Sequence, residues 1–144
     1  MFFGQFDHSI DEKGRLTVPA RYRELLDGGA YITLGFEDNL MVMRSEEFEK
    51  LQQKIRLMSI TNTKARQLAR LIFGNAAMLE IDNNGRILIP QFLREASKLD
   101  SSVKIVGIGT HFELWNPDFW NKKQEVILDG AIREGLFEDL ELSF

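Results

Sequence analysis

A ten-residue pattern occurs twice in this chain. Ile10-Asp11-Glu12-Lys13-Gly14-Arg15-Leu16-Thr17-Val18-Pro19 returns 71 residues later as Ile81-Asp82-Asn83-Asn84-Gly85-Arg86-Ile87-Leu88-Ile89-Pro90. Ile, Asp, Gly, Arg and Pro recur identically, and Leu16/Ile87 and Val18/Ile89 match in character. The register extends to Arg23-Glu24 and Arg94-Glu95. After a one-residue slip it takes in Gly35 with Gly107, Leu40 with Phe112 and Phe48 with Trp120. Such a repeat is one supersecondary unit built twice. No Pro/Gly/Ser-rich linker separates the copies, so they are expected to pack intimately.

Each copy reads alike. A short strand enters a turn, Asp11–Gly14 or Asp82–Gly85, in which Asp opens the turn and Gly tolerates positive φ. An alternating strand follows, with Leu16 and Val18 (or Ile87 and Ile89) on one face. Proline ends it and starts a helix at the first position, where its missing N–H costs nothing. The helix over 20–26 is expected to bury Tyr22, Leu25 and Leu26, and its twin Phe92, Ala96 and Leu99. Hairpins then pair Tyr31–Phe36 with Leu40–Met43, and Val103–Ile108 with Phe112–Trp115. One closing helix starts at Ser45, read as its N-cap, with Phe48, Leu51, Ile55 and Met58 in a stripe. The other starts at Asn116-Pro117, with Phe119, Trp120, Lys123 and Ile127 on one face. Asn62–Phe73 reads as a further amphipathic helix, its apolar face made by Ala65, Leu68, Ala69 and Ile72. Residues 130–144 are weakly patterned and acidic, a loosely held tail or an interaction segment.

Composition narrows the function classes. Without cysteine, disulfides, thiolate metal sites and cysteine nucleophiles are excluded. No basic segment followed by a long apolar run opens the chain, and no stretch approaches the ~18 apolar residues of a membrane span, so a cytoplasmic protein without a signal peptide is expected. The sequence holds no G-x-S-x-G, P-loop, G-x-G-x-x-G or His-x-x-x-His. Asp11 and Asp82 would make a poor acid–base dyad, because an Arg four residues on keeps each ionised. No enzyme activity, metal, organic cofactor or small-molecule substrate is implied. The net charge of −4 is uneven: residues 124–144 carry six acids and one base, −5, while residues 1–123 keep 17 bases and 16 acids, +1. That is no electrostatic signature of nucleic-acid binding.

The informative feature is Asp-x-x-x-Arg, present twice in matching strand–turn–strand settings. With the opening Met1-Phe2-Phe3-Gly4 and Leu71-Ile72-Phe73-Gly74-Asn75-Ala76 before the second copy, the whole chain resembles the MraZ family. The resemblance implies an α+β, barrel-like pseudo-dimer of two interlocked AbrB-type swapped-hairpin half-domains, about residues 5–47 and 76–119, with flanking helices. It implies ring-like homo-oligomers and, as partner, double-stranded DNA carrying promoter repeats. The function it implies is nucleoid-associated transcription regulation, repressing the operon of division and cell-wall genes that encodes the family.

Read on the residues, each turn is a prong. Arg15, with Lys13 beside it, can pair with phosphate or read a guanine edge with two hydrogen bonds, and Arg86 repeats it in the second copy. Asp11 and Asp82 are read as orienters of those arginines, since a carboxylate at a phosphate surface would repel. The second prong carries Asn83 and Asn84 where the first has Glu12 and Lys13. It is less charged, and its asparagines either read adenine or hold the turn. A purely structural Asp–Arg bridge is the alternative for each arginine. Arg21, Arg23 and Arg94 are expected on solvated helix faces, and Lys64, Arg66 and Arg70 as amphipathic decoration. The lone His8 and His111 are read as structural or incidental, and Phe119, Trp115 and Trp120 as core. The rival function is a protein-interaction module of antitoxin-like type on the same fold.

Overall fold

A computed structural model describes residues 1–142. Among them the chain forms a mixed α+β fold of eight strands and six α-helices, in which each copy contributes strand, turn, strand, short helix, hairpin and two helices. The first copy supplies β1 (Gln5–Ser9), β2 (Arg15–Thr17), α1 (Ala20–Leu25), β3 (Ala30–Leu34), β4 (Asn39–Arg44), α2 (Ser45–Arg56) and α3 (Thr63–Ile72). The second supplies β5 (Ala77–Leu79), β6 (Arg86–Leu88), α4 (Gln91–Ala96), β7 (Ser102–Gly107), β8 (His111–Trp115), α5 (Pro117–Leu128) and α6 (Gly130–Leu136), then a 3-10 turn, Glu138–Leu140.

Six strands form one antiparallel sheet in the order β1-β7-β8-β4-β3-β5, and β2 pairs with β6 in a separate ribbon. Exchanging each strand for its counterpart in the other copy reverses the order and leaves it unchanged. The first strand of each copy therefore lies on the other copy's hairpin: Phe6 opposite Ile105, and Tyr31 opposite Met78. The ribbon also joins the copies, with Arg15 opposite Leu88, Leu16 opposite Ile87 and Thr17 opposite Arg86.

Alternation explains the ribbon. Side chains of successive strand residues point to opposite faces, so Leu16 and Ile87 go inward and are wholly buried, as are Val18 and Ile89 beyond them. They join one core with Tyr22, Ile32, Leu40, Val42, Leu93, Ile105, Phe112 and Leu114, drawn from both copies. Burying a side chain of this size stabilises the fold by about 1.5–3 kcal/mol. Tyr22 is completely buried and donates its hydroxyl to the Phe3 carbonyl at 2.6 Å. Phe48, Ile55, Leu68 and Ile72 form a second cluster under α2 and α3, and Trp115, Trp120, Val106 and Phe119 a third under α5.

Several local expectations need correction. On α4 the buried residue is Leu93, the register partner of Tyr22, whereas Phe92 is 50% exposed and Ala96 also faces outward. With six residues, α4 makes too few turns for a stripe, and the packing of its first turn decides the face. Ser45 is the first helical residue of α2 and does not cap it: Arg44 holds the cap position and no side chain bonds there. Asn62 and Asn116 are true caps, their side-chain oxygens accepting two backbone N–H groups each. The segment from residue 130 forms α6 and a 3-10 turn up to residue 142, capped by Asp129, while residues 143–144 of the proposed tail lie outside the described residues.

Candidate nucleic-acid interface

The two Asp-x-x-x-Arg turns have the same geometry. In the first, Asp11 Oδ1 accepts the backbone N–H of Lys13 at 3.0 Å and of Arg15 at 2.9 Å, and Oδ2 accepts Arg15 Nε at 2.7 Å. In the second, Asp82 Oδ1 accepts the N–H of Asn84 and Arg86, both at 2.9 Å, and Oδ2 accepts Arg86 Nε at 2.9 Å. Gly14 and Gly85 close the turns at φ +83° and +73°, each donating to its Asp carbonyl. A left-handed residue with a Cβ would cost roughly 1–2 kcal/mol there. The exposed tips are Glu12 and Lys13 in one turn, Asn83 and Asn84 in the other.

The electrostatics follow from these bonds. Backbone hydrogen bonding from Arg15 is the chief influence holding the Asp11 carboxyl below the usual aspartate range, with further help from its guanidinium and the Lys13 N–H. Asp82 is lowered in the same way by Arg86 and the Asn84 N–H. Both carboxylates stay ionised at neutral pH, and each arginine is fixed through Nε alone. Among the described residues the terminal nitrogens of Arg15 and Arg86 meet no acceptor. Each guanidinium is thus aimed by one edge and free along the other.

The ribbon brings the two turns together. Its outer face carries Arg15 and Thr17 of β2, and Leu88 and Arg86 of β6, opposite the face of Leu16 and Ile87. The arginines sit on the diagonal of the ladder, roughly 7–8 Å apart at the backbone. Leu88 is 56% exposed between them. Lys13 stands at the first turn's tip, also exposed.

Two further arginines belong here that the sequence reading placed on solvated faces. Arg23 donates Nε to the Val18 carbonyl at 2.9 Å, and Arg94 donates to the Ile89 carbonyl at 3.1 Å. Each is half-buried, and its guanidinium presses on the glycine of the other copy's turn: Arg23 on Gly85, Arg94 on Gly14. The copies also exchange backbone bonds there, Val18 N–H to the Gly85 carbonyl and Ile89 N–H to the Gly14 carbonyl, both 2.9 Å. The signal was the in-register return of Arg-Glu four residues beyond each proline. Arg21 behaves as expected on an exposed face, lying 5.0 Å over the Phe3 ring. His8 is exposed, and His111 is half-buried, its Nε2 3.9 Å from a Glu113 carboxylate oxygen.

Among the described residues no cluster of His, Asp and Glu could hold a metal ion, and no helix is long and apolar enough to cross a membrane. The site can do one thing well: present two aimed arginines and a leucine on a rigid two-stranded ribbon.

Comparison with known proteins gives the same repeat. Residues 1–71 and 72–134 each match the family model of the MraZ protein, for which an antitoxin-like character has been suggested. The chain is 43% identical over 121 residues to the transcriptional regulator MraZ of Carboxydothermus hydrogenoformans, covering 84% of this chain and 85% of that one. It is 43% identical over 120 residues to the transcriptional regulator MraZ of Roseiflexus castenholzii, covering 83% and 84%. To that of Thermomicrobium roseum it is 36% identical over 127 residues, covering 88% and 89%.

Proposed function

The chain belongs to the MraZ family, and from that premise we propose that it is a sequence-specific, DNA-binding transcription regulator whose β2–β6 ribbon enters the major groove. The observation that carries this reading is the pair of Asp-anchored arginines on one ribbon face. A two-stranded β-ribbon fits the major groove, where an arginine reads guanine through two parallel hydrogen bonds and an apolar side chain meets the thymine methyl group. Arg15 and Arg86 are the base readers, aimed by Asp11 and Asp82, with Leu88 between them and Lys13 on phosphate.

Three features support it. Relatives that share over four-fifths of their length with this chain are transcriptional regulators. The strand exchange between copies fits a barrel-like pseudo-dimer of AbrB-type swapped-hairpin half-domains, near residues 5–47 and 76–119. Each turn is close to charge-neutral, which suits aimed contacts more than loose attraction. Affinity then comes from several ribbons of a ring-like homo-oligomer on successive promoter repeats, an avidity that multiplies binding roughly 10²–10⁴-fold. The regulated operon is its own, a division and cell-wall gene cluster, and the protein acts in the cytoplasm on the nucleoid.

Fluorescence anisotropy with DNA from upstream of the gene, across a range of salt, tests this. Repeat-dependent binding by the wild type, markedly weakened in Arg15→Ala, is the expected result. An intact oligomer without specific binding would reduce both motifs to structural turns and favour an antitoxin-like protein-interaction role.

A further inference from the structure

Residues 54–73, from the last turn of α2 to the end of α3, carry five bases and no acid: Lys54, Arg56, Lys64, Arg66 and Arg70. Between these helices runs an open groove of ≈ 320 Å³, lined by Ile55, Met58, Ala69 and Phe73 and by Arg56 and Arg66. Ile60 also lines it and is 83% exposed, and neighbouring Leu57 is 87% exposed.

The last helical segment is its complement. Ile132, Leu136, Phe137, Leu140 and Leu142 are all exposed, and no residue of α6 is buried. Over residues 130–142 the charged groups are Arg133 against Glu134, Glu138, Asp139 and Glu141, one base and four acids. α6 packs along α5, which lies against β7, whereas α2 packs against β3 and β4 and α3 against β3. β8 lies between β7 and β4, and β4 between β8 and β3.

We propose that residues 130–142 of one copy lie in the α2–α3 groove of a second copy. This rests on the assembly reading above and names the surfaces that make it. The mode is an amphipathic segment in an apolar groove, with acids meeting Arg56 and Arg66. The two surfaces differ, so the contact is head-to-tail. Such contacts close into a ring whenever the rotation between neighbours divides the circle. The opposite charges also make the contact salt-sensitive and disfavour groove-to-groove pairing.

The test is a charge swap in the full-length protein, read by light scattering at micromolar concentration. Arg56→Glu with Arg66→Glu, and separately Glu138→Arg with Glu141→Arg, should each reduce the assembly towards the single-chain mass. All four together should restore it. Arg66 also bonds the Ile60 carbonyl at 2.8 Å, and rescue separates the pairing from damage to that loop. A second arm adds a labelled peptide of residues 130–142 to the Glu138→Arg/Glu141→Arg protein, whose grooves are free, expecting binding weakened tenfold or more when Arg56→Glu and Arg66→Glu are added. If both pairs of changes leave the mass unaltered, or the four-fold variant stays dissociated, or the peptide does not bind, the docking is wrong while a ring of other contacts stands. A wild type that runs as a single chain overturns the assembly reading itself.

Discussion

The guanidinium of Arg23 occupies the space that a β-carbon on Gly85 would need, and Arg94 stands in the same relation to Gly14, 2.9 Å from such a carbon. Each turn is held from inside by its Asp and from behind by an arginine of the opposite copy. Gly85→Ala should therefore suffer twice, from its positive φ and from the Arg23 clash. Arg23→Ala should lose the bond to the Val18 carbonyl, about 1.5–3 kcal/mol for a charged donor. The double variant should be less destabilised than the two losses added, because removing Arg23 removes the clash. Denaturant midpoints of the four proteins check this, and strict additivity would mean the two groups do not press on each other.

Orientation and charge can be separated at Asp11. Arg15→Ala should weaken operator binding roughly 5- to 150-fold and relax preference at one base position. Asp11→Asn makes the protein less acidic, so attraction alone would tighten binding. The lost Oδ2 anchor of Arg15 Nε should weaken it instead. Anisotropy at one fixed salt concentration decides between the signs.

Leu88 should be read through a methyl group. Replacing single operator thymines by uracil deletes only the 5-methyl, and at one position this should lower affinity for the wild type. With Leu88→Ser the same replacement should have little further effect. Uracil scanning that shows equal losses in both proteins would remove Leu88 from the base-reading set.

Acid should act on the turns late. The folded carboxyls of Asp11 and Asp82 are lowered, so their contribution to stability is present above the unfolded value. It is lost as pH falls through the folded values, below about pH 4. Glu113 shares that sign: burial pushes it up, but the neighbouring His111 ring and the hydrogen bond donated by Trp115 Nε1 carry it below the usual range. Operator affinity followed against pH should be flat from about pH 8 to 5 and fall below about 4. A midpoint between about pH 6 and 7 would assign control to a histidine.

The repeat made most of the architecture legible. Aligning Asp11 with Asp82 and Pro19 with Pro90 placed both turns, both hairpins and the helices after them, because turn chemistry and alternation are local. The pairing of β1 and β5 with the other copy's hairpin was not legible in the residues, since strand pairing at long range leaves no local mark. The same limit hid Arg23 and Arg94. Their partners are backbone groups and a glycine brought near by the fold, so on a short helix they look like any solvated arginine. Taking Phe92 for Leu93 was a period error that holding the repeat register from Tyr22 would have prevented.

The reversible strand order has a consequence for synthesis. β1 emerges first from the ribosome, yet its sheet neighbour β7 is made almost a hundred residues later. The hairpin β3–β4 likewise waits for β5 on one side and, longer still, for β8 on the other. A nascent first copy thus presents open strand edges of the kind that capture other chains. The cheapest partner for those edges is the second copy on the same chain, already tethered and following within seconds. Fusing the halves into one polypeptide converts a bimolecular exchange into an intramolecular one, and keeps each chain's strands for itself.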